Sequence, residues 1–461
     1  MSRFIIILIA ATSCFSCKKE QQDVVVFKQF SGGIDNTVFD ISQNAFGYPS
    51  PGISNYEELL FAVGNSFFRQ NWVSAPASTT ARDGLGPYFN ARNCSSCHFK
   101  DGRGRPPNFT GELSTGLLIR LSIPGIGEHG GPLGHQSYGR QLQDASLPEL
   151  LVEGDLQITY VDISGTFSDG TPYSLRKPTY SIISGNYGAL DAGLMMSPRV
   201  GQQMIGLGLL EAISENTLMN LCDEFDSDGN GISGKLNYVW DEVNKRTSVG
   251  RFGWKANQPS LYQQTAGAFL GDLGITTELF NVENCSDSQV DCGSIVNGGV
   301  PEITNDDLEK VVLYLSNLAV PAQRDYEDEV VVRGGKNFSI IGCASCHIPS
   351  LVTANHSKFS NLSNQRIAPY TDLLLHDMGS ELADNRPDFL ANGNEWRTQP
   401  LWGLGLIETV NGHTYLLHDG RARNIEEAIL WHGGEGEASK KLFIDLPAKE
   451  RESILTFLKS L

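Results

Sequence analysis

Beyond its N-terminal segment, the chain of 461 residues lacks an apolar run long enough to cross a bilayer. This absence argues against membrane-spanning helices in the body of the protein. The chain also lacks an excess of basic residues, since 35 Lys and Arg stand against 53 Asp and Glu and give a formal net charge of −18. Phosphate groups would be repelled by this charge, which argues against nucleic acid as a partner. A basic protein partner, steered by charge, is compatible with it.

The N-terminal segment, "MSRFIIILIAATSCFSCKKE", has Arg3, a short apolar run over residues 4–11, and then small residues and cysteines. It is too short for a membrane span and is typical of a secretory signal. Small residues before a Cys favour a bacterial lipoprotein signal over residues 1–17, with Cys17 acylated. Cys14 is the alternative lipidation site, and a plain cleaved signal is a third reading. We expect an exported protein, periplasmic or anchored by lipid to the outer membrane of a Gram-negative bacterium.

The nine cysteines leave no spare pair for a redox dithiol. Cys285 and Cys292, in the polar stretch "NCSDSQVDC", are expected to form a disulfide, as an exported protein permits. Cys222 lies in an apolar pattern and is expected to be a buried free thiol. Outside the leader, the other four cysteines belong to two copies of CxxCH, at residues 94–98 and 343–347.

CxxCH is the attachment motif of a c-type haem. Its two thiols bond the haem vinyl groups, and the adjacent histidine, here His98 or His347, is an axial ligand of the iron. A zinc site could use two CxxC pairs, but it would not need a histidine directly after each pair. We therefore expect two covalently bound c-type haems. The attachment residues are Cys94, Cys97, Cys343 and Cys346.

The sequence around the two motifs is repeated. A G-x-x-F step precedes each motif, as Gly64 and Phe67 in one copy and Gly335 and Phe338 in the other. Each copy also closes with an amphipathic helical pattern. The aligned apolar positions are Val311, Val312, Leu315 and Leu318 in the first copy and Ile454, Leu455, Leu458 and Leu461 in the second.

This duplication predicts a mainly α fold with two cytochrome c-like haem domains, the N-terminal one carrying large insertions. After an N-terminal extension over residues 18–55, the first domain covers residues 56–322. The second covers residues 323–461.

The stretch "LLHDGRARNIEEAILWHGGEGE" resembles the bacterial di-haem cytochrome c peroxidases and their relatives, including the enzyme that matures methylamine dehydrogenase. In that superfamily the distal ligand of the C-terminal haem lies fourteen residues after the histidine of an H-D-G turn. Counted from His418, this position is His432. The family has Met or Tyr there, so His432 implies a bis-His haem of low potential. Met378 is the alternative axial ligand.

A second stretch, "FGWKANQPSLYQQTAGAFLGDLGIT", resembles the peroxidase segment that supplies the inter-haem tryptophan and groups of the distal pocket. The resemblance puts Trp254 on the bridging position and Gln264 on the pocket glutamine. The catalytic glutamate of the family falls on Gly274, which is a departure. Asp272 is the nearest carboxylate and is our candidate for its replacement.

Longer strings, such as "SPRVGQQMIGLGLLEAI", are similar to the di-haem oxidoreductase family that is often labelled thiol oxidoreductase. The resemblance implies a peroxidase-like oxidoreductase whose electron donor is a small cytochrome c or a cupredoxin. Electrons would enter at the C-terminal haem, pass by Trp254, and reduce hydrogen peroxide or another small oxidant at the N-terminal haem. Two alternatives stay open: an electron-transfer cytochrome without catalysis, and an oxidase of a protein or small-molecule substrate.

The distal ligand of the N-terminal haem is not settled by the sequence. The candidates are His129, His135, Met195, Met196 and Lys255. Basic residues near the first motif could pair with the haem propionates. These are Arg92, Lys100, Arg103 and Arg105.

The string "DSDGNGISGKLN" has the spacing of a calcium-binding loop. Its expected ligands are Asp226, Asp228, Asn230, the carbonyl of Ile232 and Asn237. Because the twelfth position is Asn237 and not Glu, the bidentate ligand is missing. We expect a weak to moderate structural calcium site.

Overall fold

The computed structural model describes residues 29–109, 112 and 116–461. The predicted signal segment, with Cys17 and the alternative Cys14, lies outside these residues. Within the described part of the chain, no helix combines the length and the apolar character that a membrane span requires. Cys285 and Cys292 are joined by a disulfide.

The prediction of a mainly α fold made of two cytochrome c-like domains is wrong. The described residues are 29% helical and 18% strand, with ten helices and several small sheets. In chain order, the helices are α1 (Asn55–Arg69), α2 (Leu207–Glu211), α3 (Glu215–Leu221), α4 (Leu261–Leu273), α5 (Asn305–Ser316), α6 (Glu329–Ile340), α7 (Ile407–Asn411), α8 (Ile425–Trp431), α9 (Glu437–Asp445) and α10 (Ala448–Ser460).

The strands form two-stranded sheets, which are antiparallel except for the parallel pair β1–β10. The other pairs are β2–β4, β3–β7, β5–β6, β8–β9, β11–β12 and β13–β14. The strands are β1 (Thr37–Val38), β2 (Tyr88–Phe89), β3 (Leu117–Ser122), β4 (Ala145–Ser146), β5 (Asp155–Thr166), β6 (Pro172–Ile183), β7 (Met195–Val200), β8 (Tyr238–Asp241), β9 (Arg246–Val249), β10 (Val320–Pro321), β11 (Leu351–Val352), β12 (Arg366–Ile367), β13 (Leu375–Asp377) and β14 (Glu395–Arg397).

The longest strands account for much of the error in fold class. β5 and β6 have 12 residues each and form a hairpin. Their sequences are rich in Ile, Thr, Val and Tyr, which favour strands. Gly170, with a φ of +88°, lies in the turn between them and adopts a conformation that L-residues rarely reach. The apolar spacing around the haem motifs carries no information about this insertion.

The duplication is present as two similar helix pairs, α1 with α5 and α6 with α10. In each pair a glycine lies against the partner helix: a Cβ on Gly64 would overlap the carbonyl oxygen of Lys310, and one on Gly334 that of Ser453. Only a glycine lets the helix backbones approach this closely. The partner positions, Lys310 and Ser453, agree with the alignment of the closing helices.

The predicted G-x-x-F register is wrong by one residue. Phe68, four residues after Gly64, lies 6.2 Å from the ring of His98, and Phe338, four residues after Gly334, lies 6.3 Å from the ring of His347. The repeated step is therefore G-x-x-x-F. This spacing places the glycine and the aromatic ring on one helix face.

The largest hydrophobic cluster contains buried side chains from both sides of the predicted boundary at residue 322. For example, Phe167 and Phe443 lie 6.2 Å apart, with their rings edge to face. The division into domains at that boundary stays a prediction.

We predict that Gly64→Ala and Gly334→Ala each destabilise the protein by about 1–3 kcal/mol, because the added methyl forces two packed helices apart. Chemical denaturation followed by circular dichroism would measure this change. The matched control is Gly335→Ala, where the added Cβ would meet only the ring of Phe457, at 3.3 Å. A loss as large for the control as for Gly334→Ala would contradict the prediction.

Candidate haem-binding sites

The first CxxCH motif is folded as a tight turn. Cys94–Ser96 form a short 3₁₀ helix, and the side chain of Asn93 accepts a hydrogen bond from the N–H of Ser96 at 2.7 Å. The N–H of His98 donates to the carbonyl of Cys94 at 3.0 Å, which brings the histidine back beside both thiols. Burial raises the pKa of Cys94 and of Cys97. Neither thiol is therefore prepared to act as a thiolate.

The imidazole of His98 is held by a residue far away in sequence. Its Nδ1 lies 2.6 Å from the carbonyl oxygen of Gln202. With Nδ1–H as donor, the lone pair of Nε2 is left for a metal. Burial lowers the pKa of His98, which favours the neutral form that a ligand needs. Gly201 lies so close that a Cβ would come within 3.1 Å of the His98 ring.

The second motif repeats this arrangement. Cys343–Ser345 form a 3₁₀ helix, and the N–H of His347 donates to the carbonyl of Cys343 at 3.0 Å. The Nδ1 of His347 lies 2.9 Å from the carbonyl oxygen of Tyr370. Burial lowers the pKa of His347 to about 4. The two motifs thus present the same donor set, two thiols and one neutral imidazole.

His432 lies on the same cavity as His347, Cys343 and Cys346. It follows the last residue of α8, its Nδ1 is 2.7 Å from the carbonyl oxygen of Ala428, and burial lowers its pKa. Met378 also lines this cavity, so both candidates for the second axial ligand stay open.

The cavity, called the C-terminal cavity below, has a volume of about 220 Å³. Its other lining residues are mostly apolar, and the charged ones are Arg103, Arg397, Glu435 and Lys440. The guanidinium Nη1 of Arg397 is buried and has no hydrogen-bond partner among the described residues. Apolar walls, two thiols, the neutral imidazoles of His347 and His432 and a guanidinium nitrogen without a partner fit a haem, which has an apolar macrocycle and two carboxylates. The apolar walls include Phe338, Leu404, Leu416, Ile429 and Leu458.

Trp254 lies between the two motifs. Its Nε1 donates to the carbonyl of Val200 at 2.9 Å, two residues before the carbonyl that holds His98. On the other side, its ring meets the ring of His418 edge to face at 6.5 Å. His418 stacks on Trp396 at 3.9 Å, and both line the C-terminal cavity. In the sequence analysis, His418 served only to locate His432, fourteen residues later. No sequence pattern pointed to Trp396.

Asp272 lies close to the first motif. Its backbone carbonyl accepts hydrogen bonds from the N–H groups of Asn90 and Ala91, and its carboxylate accepts one from Nε2 of Gln141 at 2.9 Å. The charge of Asp272 contributes to the raised pKa of Cys94. Burial lowers the pKa of Arg120, an effect that the same carboxylate opposes. The sequence did not single out Arg120, which reaches this place by the pairing of β3 with β7.

Gln264 does not belong to the same site as Asp272. Both residues are in α4, eight residues apart, which corresponds to about 12 Å along the helix axis. One peroxide cannot contact both side chains across that distance. Gln264 and Asp272 therefore cannot both act on one peroxide, and the role of Gln264 stays a prediction.

Lys255 is unsuited to be an iron ligand. Its fully buried Nζ donates to Oδ1 of Asp384 at 2.7 Å and to the carbonyls of Arg386 and Asn392 at 2.9 and 2.7 Å. Burial lowers its pKa to about 8, and the charge of Asp384 opposes this effect. A protonated amine with three acceptors has no lone pair for a metal.

The other distal candidates differ in their surroundings. His129 stacks on Trp240 at 3.8 Å, and Nε2 of His135 lies 3.4 Å from a carboxylate oxygen of Asp191. The Nε2 of His135 is buried and makes no hydrogen bond to the described residues, so His135 stays a candidate. Met195 and Met196 are in β7, the strand that leads directly to Gly201 and Gln202.

Of the four basic residues near the first motif, Arg103 faces the other site. Its guanidinium donates to the carbonyls of Tyr415 and Leu417, lies 5.0 Å from the centre of the Trp254 ring, and lines the C-terminal cavity. The others have partners nearby. Arg92 lies over Phe89, Lys100 donates to Gln43, and Arg105 pairs with Glu112.

The calcium loop is only partly assembled as predicted. Carboxylate oxygens of Asp226 and Asp228 approach one another, together with Asp223, and Asn230 bonds Asp228. Asn237 is buried instead, and its amide bonds the backbone of Lys255, Asp388 and Leu390. The side chain of Ile232 lines the C-terminal cavity. Calcium binding stays a prediction.

A family model described as "Di-haem oxidoreductase, putative peroxidase" matches residues 26–117 and 123–461. The match covers nearly the whole chain, including both CxxCH motifs. No curated protein and no solved structure matches the chain.

We predict that Lys255→Met costs about 3–5 kcal/mol of stability, because it leaves the carboxylate of Asp384 buried without a cation. Thermal unfolding would measure the loss. The double variant Lys255→Met/Asp384→Leu should recover part of it. A stable Lys255→Met protein with an altered haem spectrum would instead identify Lys255 as an iron ligand.

Proposed function

We propose, on the premise that this chain belongs to the di-haem oxidoreductase family, that it is a peroxidase with a division of work between its two haem sites. Family membership implies two haems in the chain. The proposal rests on one observation, the asymmetry of the two sites. The C-terminal cavity is lined by His432 as well as by His347 of the motif. Among the distal candidates for the N-terminal haem, Lys255 is held by three acceptors and His129 stacks on Trp240.

The haems would be attached through the thioethers of both motifs, with His98 and His347 as axial ligands. His432, or Met378 in its place, would be the second ligand at the C-terminal site. When bound, a haem with two strong ligands exchanges electrons, and one with an open position can also bind peroxide. The attachment residues are Cys94, Cys97, Cys343 and Cys346.

Electrons would enter at the C-terminal site from a small cytochrome c or a cupredoxin. The net charge of −18 favours a basic donor, because opposite charges speed association. Trp254 would carry electrons between the sites, since its indole joins the segment that holds His98 to the wall of the C-terminal cavity.

Asp272 would handle the proton at the N-terminal site. Reduction of one peroxide takes two electrons from the donor and two protons, and yields two waters. In our proposal, the carboxylate of Asp272 takes the proton from the peroxide oxygen that is nearer to the haem. It gives this proton to the farther peroxide oxygen, which then leaves as water. Arg120, whose pKa is influenced by Asp272, would stabilise the negative charge that develops on the leaving oxygen.

We predict that Asp272→Asn lowers peroxide turnover per haem by about 10²-fold, because the amide cannot accept the proton. Peroxide consumption with a reduced small cytochrome c as donor would measure it, after both proteins are adjusted to equal haem content. The control is Gln264→Leu, on the same helix, which should leave turnover unchanged.

The measurement distinguishes an error in the role of Asp272 from an error in the proposed activity. Unchanged turnover in Asp272→Asn would show that Asp272 has no role in proton transfer. Absence of turnover in the unaltered protein would contradict the peroxidase proposal itself.

A further inference from the structure

We propose that Arg397 binds a carboxylate of the haem in the C-terminal cavity, and that Gln399 and Gln202 connect Arg397 to the ligand His98 of the other site. Gln399 is then a positioning residue for an iron ligand outside its own cavity. This inference rests on the proposed function, because it requires haems at both sites.

Arg397 is 4% exposed, and its guanidinium has hydrogen-bond partners for only some of its donors. Its Nε donates to the carbonyl of Gly253 at 2.9 Å, and its Nη2 donates to Oε1 of Gln399 at 2.9 Å. Its Nη1 is buried without a partner among the described residues. Burial lowers the pKa of Arg397 to about 10, an effect that Asp372 opposes.

An unpaired guanidinium donor is costly in an apolar cavity, so the structure calls for an anion there. A carboxylate suits the planar guanidinium best, because it accepts charge-assisted hydrogen bonds in the same plane. The haem attached at Cys343 and Cys346 would carry two such carboxylates into the cavity that Arg397 lines.

The connection to the other site consists of hydrogen bonds between side chains and one backbone carbonyl. Oε1 of Gln399 accepts from Arg397 and also from Nε2 of Gln202, at 2.7 Å. The carbonyl of Gln202 lies 2.6 Å from Nδ1 of His98. The side chain of Gln202 is thus held by Gln399 of the C-terminal cavity, and its backbone carbonyl bonds His98 of the N-terminal site.

The partner of Nδ1 fixes the ring orientation of an axial histidine and its strength as a ligand. Loss of the bond from Gln202 to Gln399 should therefore loosen the Gln202 carbonyl and weaken its bond to His98. Gln203 provides the comparison. It is the next residue and also lines the C-terminal cavity, but it donates to the carbonyl of Trp402 at 2.8 Å and has no bond to Gln399.

The test compares Arg397→Met, Gln399→Met and Gln203→Met with the unaltered protein. The midpoint potential of each haem is measured by spectroelectrochemical titration in a buffer free of carboxylates, and the N-terminal haem is also followed by electron paramagnetic resonance. A pyridine haemochrome assay first establishes two covalent haems per chain. Fewer than two would overturn the proposed function, and this inference with it.

We expect Arg397→Met to lower the potential of the C-terminal haem by about 59 mV or more, which is a tenfold change in the one-electron equilibrium constant. The positive charge of Arg397 disfavours the ferric state, so its removal stabilises that state. Arg397→Gln, a milder change should the first variant not fold, should lower this potential likewise. Gln399→Met should raise the potential of the N-terminal haem, by at least threefold in the one-electron equilibrium constant, and should shift its resonance signals. Gln203→Met should leave that haem unchanged.

Two results would overturn the inference. If the potential of the C-terminal haem is unchanged in the Arg397 variants, Arg397 does not bind a haem carboxylate. The same conclusion follows if this potential differs from that of the unaltered protein only when acetate is added. An unchanged N-terminal haem in Gln399→Met would show that Gln399 does not position His98.

Discussion

The hydrogen bond between each motif histidine and a distant backbone carbonyl is the interaction on which both sites depend. A CxxCH turn places a histidine beside two thiols, but it does not fix the rotation of the ring. Gln202 at the first site and Tyr370 at the second supply the carbonyl, and both leave Nε2 as the nitrogen with a lone pair. Burial then keeps each imidazole neutral. A short local motif becomes a metal site only through contacts made elsewhere in the chain.

The insertion of the first half supplies that contact at the N-terminal site. β7 pairs with β3 and continues into residues 200–202, which meet three groups. The N–H of Val200 donates to the carbonyl of His418, its carbonyl accepts from Trp254, and the carbonyl of Gln202 meets His98. One strand end therefore joins the first motif, the tryptophan and the wall of the C-terminal cavity. This shared segment is the reason why a change at one site can be felt at the other.

Much of the candidate site could be predicted from local patterns in the sequence. The two motifs and the apolar stripes of α5 and α10 depend on short spacings. The fourteen-residue step to His432 came from the resemblance, and the structure places His432 on the cavity of His347. The family match agrees with the resemblance that those strings suggested. The closing helices align in the predicted register because Lys310 and Ser453 meet equivalent glycines.

What the sequence did not reveal depends on contacts between distant segments. The β5–β6 hairpin changes the fold class, yet no spacing near the motifs announces it. The resemblance assigns both Gln264 and Asp272 to the distal pocket, but about 12 Å of helix separates them. Lys255 looks like a free ligand until its three acceptors are known, two of them backbone carbonyls. Arg397 is an ordinary arginine in the sequence and is notable only for a buried nitrogen without a partner.

The most direct measurement is the optical spectrum of the purified protein with one haem reduced, before and after one equivalent of hydrogen peroxide. We predict that peroxide rapidly removes the ferrous band through an accessible N-terminal haem, whichever haem holds the electron at the start. A spectrum in which both haems stay low-spin and react only slowly would contradict it. The protein would then be an electron carrier, with a redox partner and no peroxide substrate.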